Sequence, residues 1–403
     1  MSNALFAGLR RMTSRDPHEV GRVASALELL YDLTFVIAVG IAASHLAETV
    51  AGGHVGLGLL GFAFAMMATF ITWINFSWLN SAFDVDDWMH RVQILVQMAG
   101  VVLLAIGLDA MFDSLQSGGR MDIRLLVAGY VVMRVSLVAM WARIAVQVPE
   151  HRGVALRNIV GILVAQVGWV ILAIVAPVRL PFFLMVVLLG VFELLIPLFA
   201  QGAAGSTPWH RHHIAERYSA FAIITLGEGV VGTVEAAREA LAGHGSSWTV
   251  DAGLLVAIGL GATFGLWWTY FLVPFGEYLH HRPGRGYVFG YGHVPVLMSI
   301  AATGAGIHIV GLYIEHHSVL GPVGTALALV IPLACFLAAL QAVLAGMRAP
   351  GVVGGRWLLL AFALLGLSVL LTVLGVPVLL ALLVAVTALF VPVIGEEISR
   401  CRQ

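Results

Sequence analysis

Long apolar runs recur along nearly the whole 403-residue chain, separated by short polar, Gly- or Pro-containing breaks. Because a helix rises about 1.5 Å per residue, roughly 20 apolar residues cross the hydrocarbon core of a bilayer. Only 11% of the residues are charged, so no soluble core could bury this much apolar surface. The sequence therefore predicts an all-α polytopic integral membrane protein whose partner is the lipid bilayer. The runs predict about twelve spans, near residues 27–48, 55–80, 91–113, 123–146, 157–177, 180–201, 214–237, 251–279, 288–312, 320–347, 356–374 and 376–397.

The distribution of arginine predicts how these spans are oriented. With the N-terminus in the cytoplasm, 16 of the 21 Arg lie on the cytoplasmic side and four lie outside, while Arg134 falls inside a span. Cytoplasmic loops carry the excess of basic residues, so both termini are predicted to lie in the cytoplasm, with the chain in the cell (cytoplasmic) membrane. A net charge of -1 without a basic tract argues against a nucleic-acid partner.

The spans divide into two six-helix halves that share a pattern. Residues 68–76 carry Ala-Thr-Phe, then Trp and Phe, at the offsets at which residues 262–270 carry Ala-Thr-Phe, then Trp and Tyr. An even number of spans in each half makes such a repeat parallel, as in some transporters; chance similarity of two aromatic-rich helices is the alternative. The predicted segments are a cytoplasmic N-terminal segment 1–26, a first half 27–201, a cytoplasmic linker 202–213, a second half 214–397 and a cytoplasmic tail 398–403.

Three ionisable residues fall near the centres of their spans: Arg134, Glu193 and Glu228. Inserting one ionisable side chain at that depth costs about 2.5–3.5 kcal/mol, so such residues usually have a charged or hydrogen-bonding partner or serve a function. One interpretation is a static ion pair between Arg134 and one acid, which leaves the other acid to exchange protons near neutral pH. Glycines on both sides of Glu228 allow a close helix contact or a locally unwound backbone.

Two acids near the start of the first span, Glu28 and Asp32, are four residues apart and share a helix face. Like charges there repel each other unless one is protonated, a cation such as Arg134 lies between them, or they bind a cation. For Glu28 alone, a place near the positive end of the helix dipole is a sufficient explanation.

The segment that leads into the seventh span is rich in ionisable residues: His210, His212, His213, Glu216 and Arg217. His213 and Glu216 could supply two metal ligands if a second pair lay opposite, but such clusters more often anchor a membrane interface, and no metal or other cofactor is predicted. His293 in the ninth span is a stronger functional candidate, because a His can titrate near pH 7, although a hydrogen-bonded structural His is the more common case. The His pairs 280–281 and 316–317 are assigned to loops.

Four motifs follow one another along the chain. Residues 28–33 read Glu-Leu-Leu-Tyr-Asp-Leu, and residues 213–228 begin with His-x-x-Glu-Arg and end in Leu-Gly-Glu. Residues 267–271 read Trp-Trp-Thr-Tyr-Phe, and residues 291–293 read Tyr-Gly-His. Together they resemble the signatures of the bacterial low temperature requirement protein A family, although Leu272 stands where that family often has an acid. The resemblance implies a multi-pass membrane fold and carries no substrate or reaction.

These observations favour a secondary transporter or permease, proton-coupled or not, with a midplane site of Glu228, Glu193, Arg134 and Asp32. One alternative is a membrane-embedded enzyme for a lipid or polyprenyl substrate that uses Glu28, Asp32, His213 and Glu216 as acid, base or metal ligands. Another is a structural or regulatory partner of other membrane proteins. The candidate substrate- or proton-binding residues are Glu28, Asp32, Arg134, Glu193, Glu216, Arg217, Glu228 and His293. The sequence specifies no substrate and no oligomeric state.

Overall fold

The computed structural model describes residues 9–17, 19, 21–202, 207–242, 249–349 and 355–400, and over these residues the protein is helical without a strand. Twelve long helices, each long and apolar enough to cross a membrane, confirm the predicted fold class. They are α1 Ala26–Ala51, α2 Val55–Phe83, α3 Trp88–Ser117, α4 Arg124–Gln147, α5 Arg152–Val175, α6 Arg179–Gly202, α7 Arg211–Ala242, α8 Val250–Phe271, α9 Gly286–Ile314, α10 Pro322–Gly346, α11 Gly355–Val373 and α12 Val378–Arg400. The orientation of the termini and the parallel repeat remain predictions.

Side chains at the first turns determine where several helices begin. At α1 the Ser25 hydroxyl accepts from the Glu28 backbone N–H at 3.2 Å, and the Glu28 carboxylate accepts from the Ser25 N–H at 2.8 Å, which is a capping box. At α7 the Nδ1 atom of His210 accepts from the His213 backbone N–H at 3.1 Å. This cap starts α7 at Arg211, earlier than the predicted residue 214 and inside the predicted linker.

The eighth span, predicted over residues 251–279, corresponds to the candidate membrane span Val250–His281 but is not one continuous helix. Its helix ends at Phe271, and Pro274, which has no N–H to donate, precedes a separate short helix, Phe275–His281. His280 and His281 lie in the last turn of that short helix, so the prediction of a loop there is wrong. The pair His316 and His317 does lie outside the helices, after α9.

The helices form two compact units. Unit 1 comprises Met1–Ile41 and Phe64–Arg217, and unit 2 comprises Ala42–Ala63 and Tyr218–Gln403. In unit 1, α3 packs along α4, α4 along α5, and α5 along α6; in unit 2, α9 packs along α10, α11 along α12, and α8 along α12. Glycine allows the closest of these approaches: a Cβ on Gly107 of α3 would lie 2.3 Å from the backbone N of Leu126 on α4.

Candidate functional site

A buried group of ionisable side chains joins the first turns of α1 and α7 within unit 1, and we call it the α1–α7 charge cluster: Glu28, Asp32, His213 and Arg217. Glu28 and Asp32 are one turn apart on α1, and His213 and Arg217 are one turn apart on α7. This spacing places each pair on one helix face. All four residues are at most 2% exposed, so the cluster must satisfy its own charges and hydrogen bonds.

Arg217 is the cation that lies between the two acids of α1. Its Nε and Nη2 atoms donate to the two carboxylate oxygens of Asp32 at 3.1 and 2.5 Å, and its Nη1 donates to Glu28 Oε1 at 2.7 Å. The paired contacts to Asp32 form the fork that a guanidinium makes with a carboxylate. The indole N–H of Trp73 donates to the same Asp32 at 2.6 Å. The like charges on α1 are therefore compensated by Arg217 and not by Arg134.

Glu28 receives three further hydrogen-bond donors. The Asn80 side-chain amide donates at 2.7 Å, the Ser25 backbone N–H at 2.8 Å, and the His213 Nε2 atom lies 3.1 Å from Glu28 Oε1. The cluster holds two carboxyl groups against one guanidinium. With both acids ionised the cluster is neutral only when His213 is protonated.

Glu216 and His213 have different hydrogen-bond partners. A carboxylate oxygen of Glu216 accepts from the Ala24 backbone N–H at 3.0 Å, whereas His213 faces Glu28. Over the part of the chain that the structure describes, no three His, Cys, Asp or Glu side chains are grouped so that they could hold a metal ion. The two residues thus position the segment before α1 and the start of α7.

A second buried group lies between α4, α5 and α6 of unit 1, and we call it the α4–α6 charge cluster: Tyr130, Arg134, Trp169 and Glu193. Arg134 Nη2 donates to Glu193 Oε2 at 2.7 Å, and both side chains are 2% exposed. The Tyr130 hydroxyl lies between them, accepting from Arg134 and donating to Glu193. The Trp169 indole N–H donates to the other Glu193 oxygen at 3.0 Å. The structure thus pairs Arg134 with Glu193.

Glu228 in unit 2 has a different environment. It lies near the middle of α7 and is 7% exposed, and its carboxylate makes no hydrogen bond or ion pair with any residue that the structure describes. Helix α9 touches the backbone here: a Cβ on Gly304 would lie 2.5 Å from the Glu228 carbonyl oxygen, and one on Gly232 would lie 2.3 Å from the Gly304 oxygen. The glycines thus provide a close helix contact at Glu228.

His293 of α9 is fully buried among aromatic rings of unit 2. Ring centroids of Phe289, Phe275 and Tyr218 lie 4.2, 4.8 and 5.2 Å from the imidazole centroid. Its Nδ1 atom bonds the Phe289 carbonyl oxygen at 2.7 Å, while Nε2 has no hydrogen-bond partner among the described residues. The structure gives His293 no charged neighbour within salt-bridge distance over that part of the chain.

The segment before α1 packs across the ends of α2 and α4 in unit 1. The Met12 backbone N–H donates to the Gln147 side chain at 2.8 Å, and Arg143 donates to the Arg10 carbonyl oxygen at 2.7 Å and to both oxygens of Asp87. Burial favours the neutral form of Asp87, but the hydrogen bonds from Arg143 and the His90 backbone N–H outweigh it and hold the pKa of Asp87 below its ordinary value.

Some residues that complete these clusters carry sequence signals that the predictions did not use, and others carry none. Ser25 and Glu28 form the Ser-x-x-Glu capping-box pattern. Tyr130 precedes Arg134 by one helical turn, the spacing at which side chains on a helix meet. Trp73, Asn80 and Trp169 come from other helices, so only the tertiary structure identifies them as partners.

Twelve apolar helices with ionisable side chains buried inside them define a multi-pass α-helical membrane protein. The family model for bacterial low temperature requirement A protein (LtrA) matches residues 23–391, and the chain belongs to this family. The match spans all four motifs, which confirms the resemblance found in the sequence. No curated protein and no solved structure matches the chain.

Proposed function

We propose that this LtrA-family protein is a proton-coupled secondary transporter in which Glu228 carries the coupled proton. The supporting observation is the contrast between Glu228, a buried acid without a charged partner among the described residues, and three buried acids of unit 1, Glu28, Asp32 and Glu193, each of which faces a guanidinium. An ionised carboxylate buried without a partner is costly, so such a group binds a proton unless another charge arrives.

The helix contact at Glu228 supports a site that changes during transport. Gly304 and Gly232 bring the backbones of α7 and α9 into contact, and helices with such small-residue contacts can slide or unwind without losing large side-chain packing. A local change of this kind would alter the surroundings of the carboxyl group. Proton release would then follow from contact with water or with a cationic substrate group.

The two charge clusters of unit 1 complete the proposal. Asp32, Arg134 and Glu193 hold ion pairs that an ionic substrate could open by replacing one partner, and Glu28, Glu216 and Arg217 position the start of α7. His293 would contribute its Nε2 atom, which has no hydrogen-bond partner among the described residues, to substrate or proton binding. The excess of Arg in the predicted inner loops supports a cytoplasmic membrane location with both termini inside.

The test is solute-driven proton movement in liposomes that contain the purified protein and a trapped pH-sensitive dye. Amino acids, sugars, nucleosides and organic cations are added in turn to wild type, Glu228→Gln and Glu235→Gln. Glu235 is the matched control, because it lies on the same helix but is half-exposed beside Arg238. We expect solute-triggered proton movement in wild type and Glu235→Gln and none in Glu228→Gln. An undiminished signal in Glu228→Gln would contradict the proposal.

A further inference from the structure

A cavity of about 520 Å³ opens in unit 1 beside the first turn of α1, between α1 and the turn that joins α2 to α3. Its wall includes Glu28, Asn80, Asp84 and His90, with Asp86 and Arg91 also lining it. This volume lies within the range of small-molecule sites. The cavity touches the α1–α7 charge cluster only through Glu28, whose two oxygens already receive Arg217, Asn80, Ser25 and His213.

Two buried polar atoms on this wall lack a hydrogen-bond partner among the described residues. They are Asn80 Oδ1 and His90 Nδ1. Asn80 is 1% exposed and His90 is 2% exposed, so neither is satisfied by bulk water as a surface group would be. A buried polar atom without a partner costs roughly 1–3 kcal/mol. A ligand that donates hydrogen bonds to both atoms would remove this cost.

Asp84 is the acid on the wall whose charge is least compensated. Its nearest cationic or imidazole nitrogens among the described residues belong to Arg15 and His90, each at 3.8 Å, beyond hydrogen-bond length. Arg15 is itself bound to Glu19 at 2.7 Å. Burial and then the negative charge of Glu28 raise the pKa of Asp84, against the opposing effects of His90, Arg22 and Arg15. A carboxylate in this situation gains from an added cation.

The other acids on the wall have close partners. Asp86 receives two hydrogen bonds from Arg91, at 2.7 and 2.9 Å, and both side chains are largely exposed. Glu28 is paired with Arg217. The residues that line the cavity thus include one under-compensated carboxylate and two buried acceptor atoms without a partner among the described residues, with His90 Nδ1 an acceptor when Nε2 carries the ring proton toward Asp84.

We propose that this cavity binds the ammonium group of a small organic amine, with Asp84 as the counter-ion and Asn80 Oδ1 and His90 Nδ1 as the remaining acceptors. A primary ammonium group carries one positive charge and three N–H donors and has no acceptor. It therefore matches the three acceptor groups in charge and in hydrogen-bonding type. The site lies apart from Glu228 in sequence and belongs to the other compact unit, so it does not depend on the proposed transport role.

The test is isothermal titration of the full-length protein in nanodiscs with ethylammonium chloride as the probe. Tetramethylammonium chloride carries the same charge without N–H donors, and potassium chloride supplies an inorganic cation at the same ionic strength. We expect saturable ethylammonium binding, with affinities for the other two cations at least about tenfold weaker, which corresponds to 1.4 kcal/mol. Equal binding of ethylammonium and tetramethylammonium, or no saturable binding of ethylammonium, would overturn the proposal.

Two variants locate the binding. Asp84→Asn should weaken ethylammonium binding about tenfold or more, while Asp86→Asn, the matched control on the same wall, should leave the affinity within about twofold. Undiminished binding in Asp84→Asn overturns the assignment. If Asp84→Asn does not fold, ethylammonium binding to wild type is measured at falling pH: protonation of Asp84 and of His90 Nδ1 should abolish it, and affinity that persists where Asp84 is protonated overturns the assignment. Glu228→Gln should bind ethylammonium as wild type does, which separates this site from the transport proposal.

Discussion

Buried acids in the two compact units have opposite surroundings. In unit 1, Asp32 and Glu193 each face a guanidinium, with an indole N–H as an additional donor in both cases. In unit 2, Glu228 is nearly as buried, yet no described residue donates to it. Removing the partner of a compensated buried acid is strongly destabilising, so such ion pairs hold the helices in place. An acid without a partner can gain or lose a proton without breaking an ion pair. The difference distinguishes the ion-paired acids from the acid that we propose carries the coupled proton.

Removing Arg217 should have the largest effect on stability. Arg217→Met leaves Glu28 and Asp32 buried on one helix face without their cation, and breaking a buried pair in this way costs about 3–5 kcal/mol. Unfolding in a detergent titration would measure the loss. Arg238→Met is the control, because Arg238 lies on the same helix and is 72% exposed, so a change near zero is expected there. Wild-type stability in Arg217→Met would show that the cluster is not energetically coupled.

The stability of the protein should also depend on the ion pair of the α4–α6 charge cluster, and a double-mutant cycle measures this dependence. Arg134→Met and Glu193→Met each leave one buried charge unpaired and should each cost about 3 kcal/mol. The double variant replaces both charges by apolar groups, so it should recover much of that loss. The same detergent titration supplies all four corners of the cycle. Additive losses would mean that the 2.7 Å contact contributes no coupling.

Packing at Glu228 should depend on glycine at particular positions. Gly304→Val places a side chain against the Glu228 backbone, where a Cβ would be only 2.5 Å from the carbonyl oxygen, and overpacking of this kind costs about 1–3 kcal/mol. Gly227→Ala is the control, because a Cβ there meets nothing within 4 Å. Thermal unfolding of both variants tests the contact. Equal behaviour of the two variants would rule out the close approach of α7 and α9.

A pH titration should reveal the ion pair of Asp87 with Arg143. The pKa of Asp87 is lower in the folded protein than its ordinary value of about 3.9, so its contribution is present above that value and is lost as pH falls through the folded pKa. Asp87→Asn should be less stable by about 1 kcal/mol at pH 7 and should lose less stability on acidification. Thermal unfolding between neutral pH and pH 3 measures both effects, with exposed Asp251→Asn as the control. Parallel pH curves for wild type and Asp87→Asn would be the contrary result.

Glu228→Gln should have the smallest effect on stability. The substitution replaces a carboxyl group that we propose is protonated and that has no partner among the described residues, so the free energy of unfolding should change by no more than roughly 0.5 kcal/mol. Glu193→Gln makes the same chemical change beside Arg134 and should cost several times as much. The pair of variants compares the two surroundings directly. A large loss in Glu228→Gln would indicate a structural partner for this acid.

The number and order of the helices could be predicted because membrane spans are specified locally by apolar length. Local signals also explain individual residues, such as the capping box that directs Glu28 toward Ser25. Partners on distant segments could not be predicted: Asp32 and Arg217 are 185 residues apart in sequence, and no periodicity links them. The sequence suggested Arg134 as a possible bridge for Glu28 and Asp32, whereas the structure places Arg217 there and assigns Arg134 to Glu193.

Infrared difference spectroscopy on the protein in lipid tests the central contrast most directly, because a protonated carboxyl group has a C=O stretching band that an ionised one lacks. We predict a buried protonated-carboxyl band that changes with pH in wild type, remains in Asp32→Asn and Glu193→Gln, and disappears in Glu228→Gln. A band that persists in Glu228→Gln and disappears in one of the unit 1 variants would contradict the assignment of the exchangeable proton to Glu228.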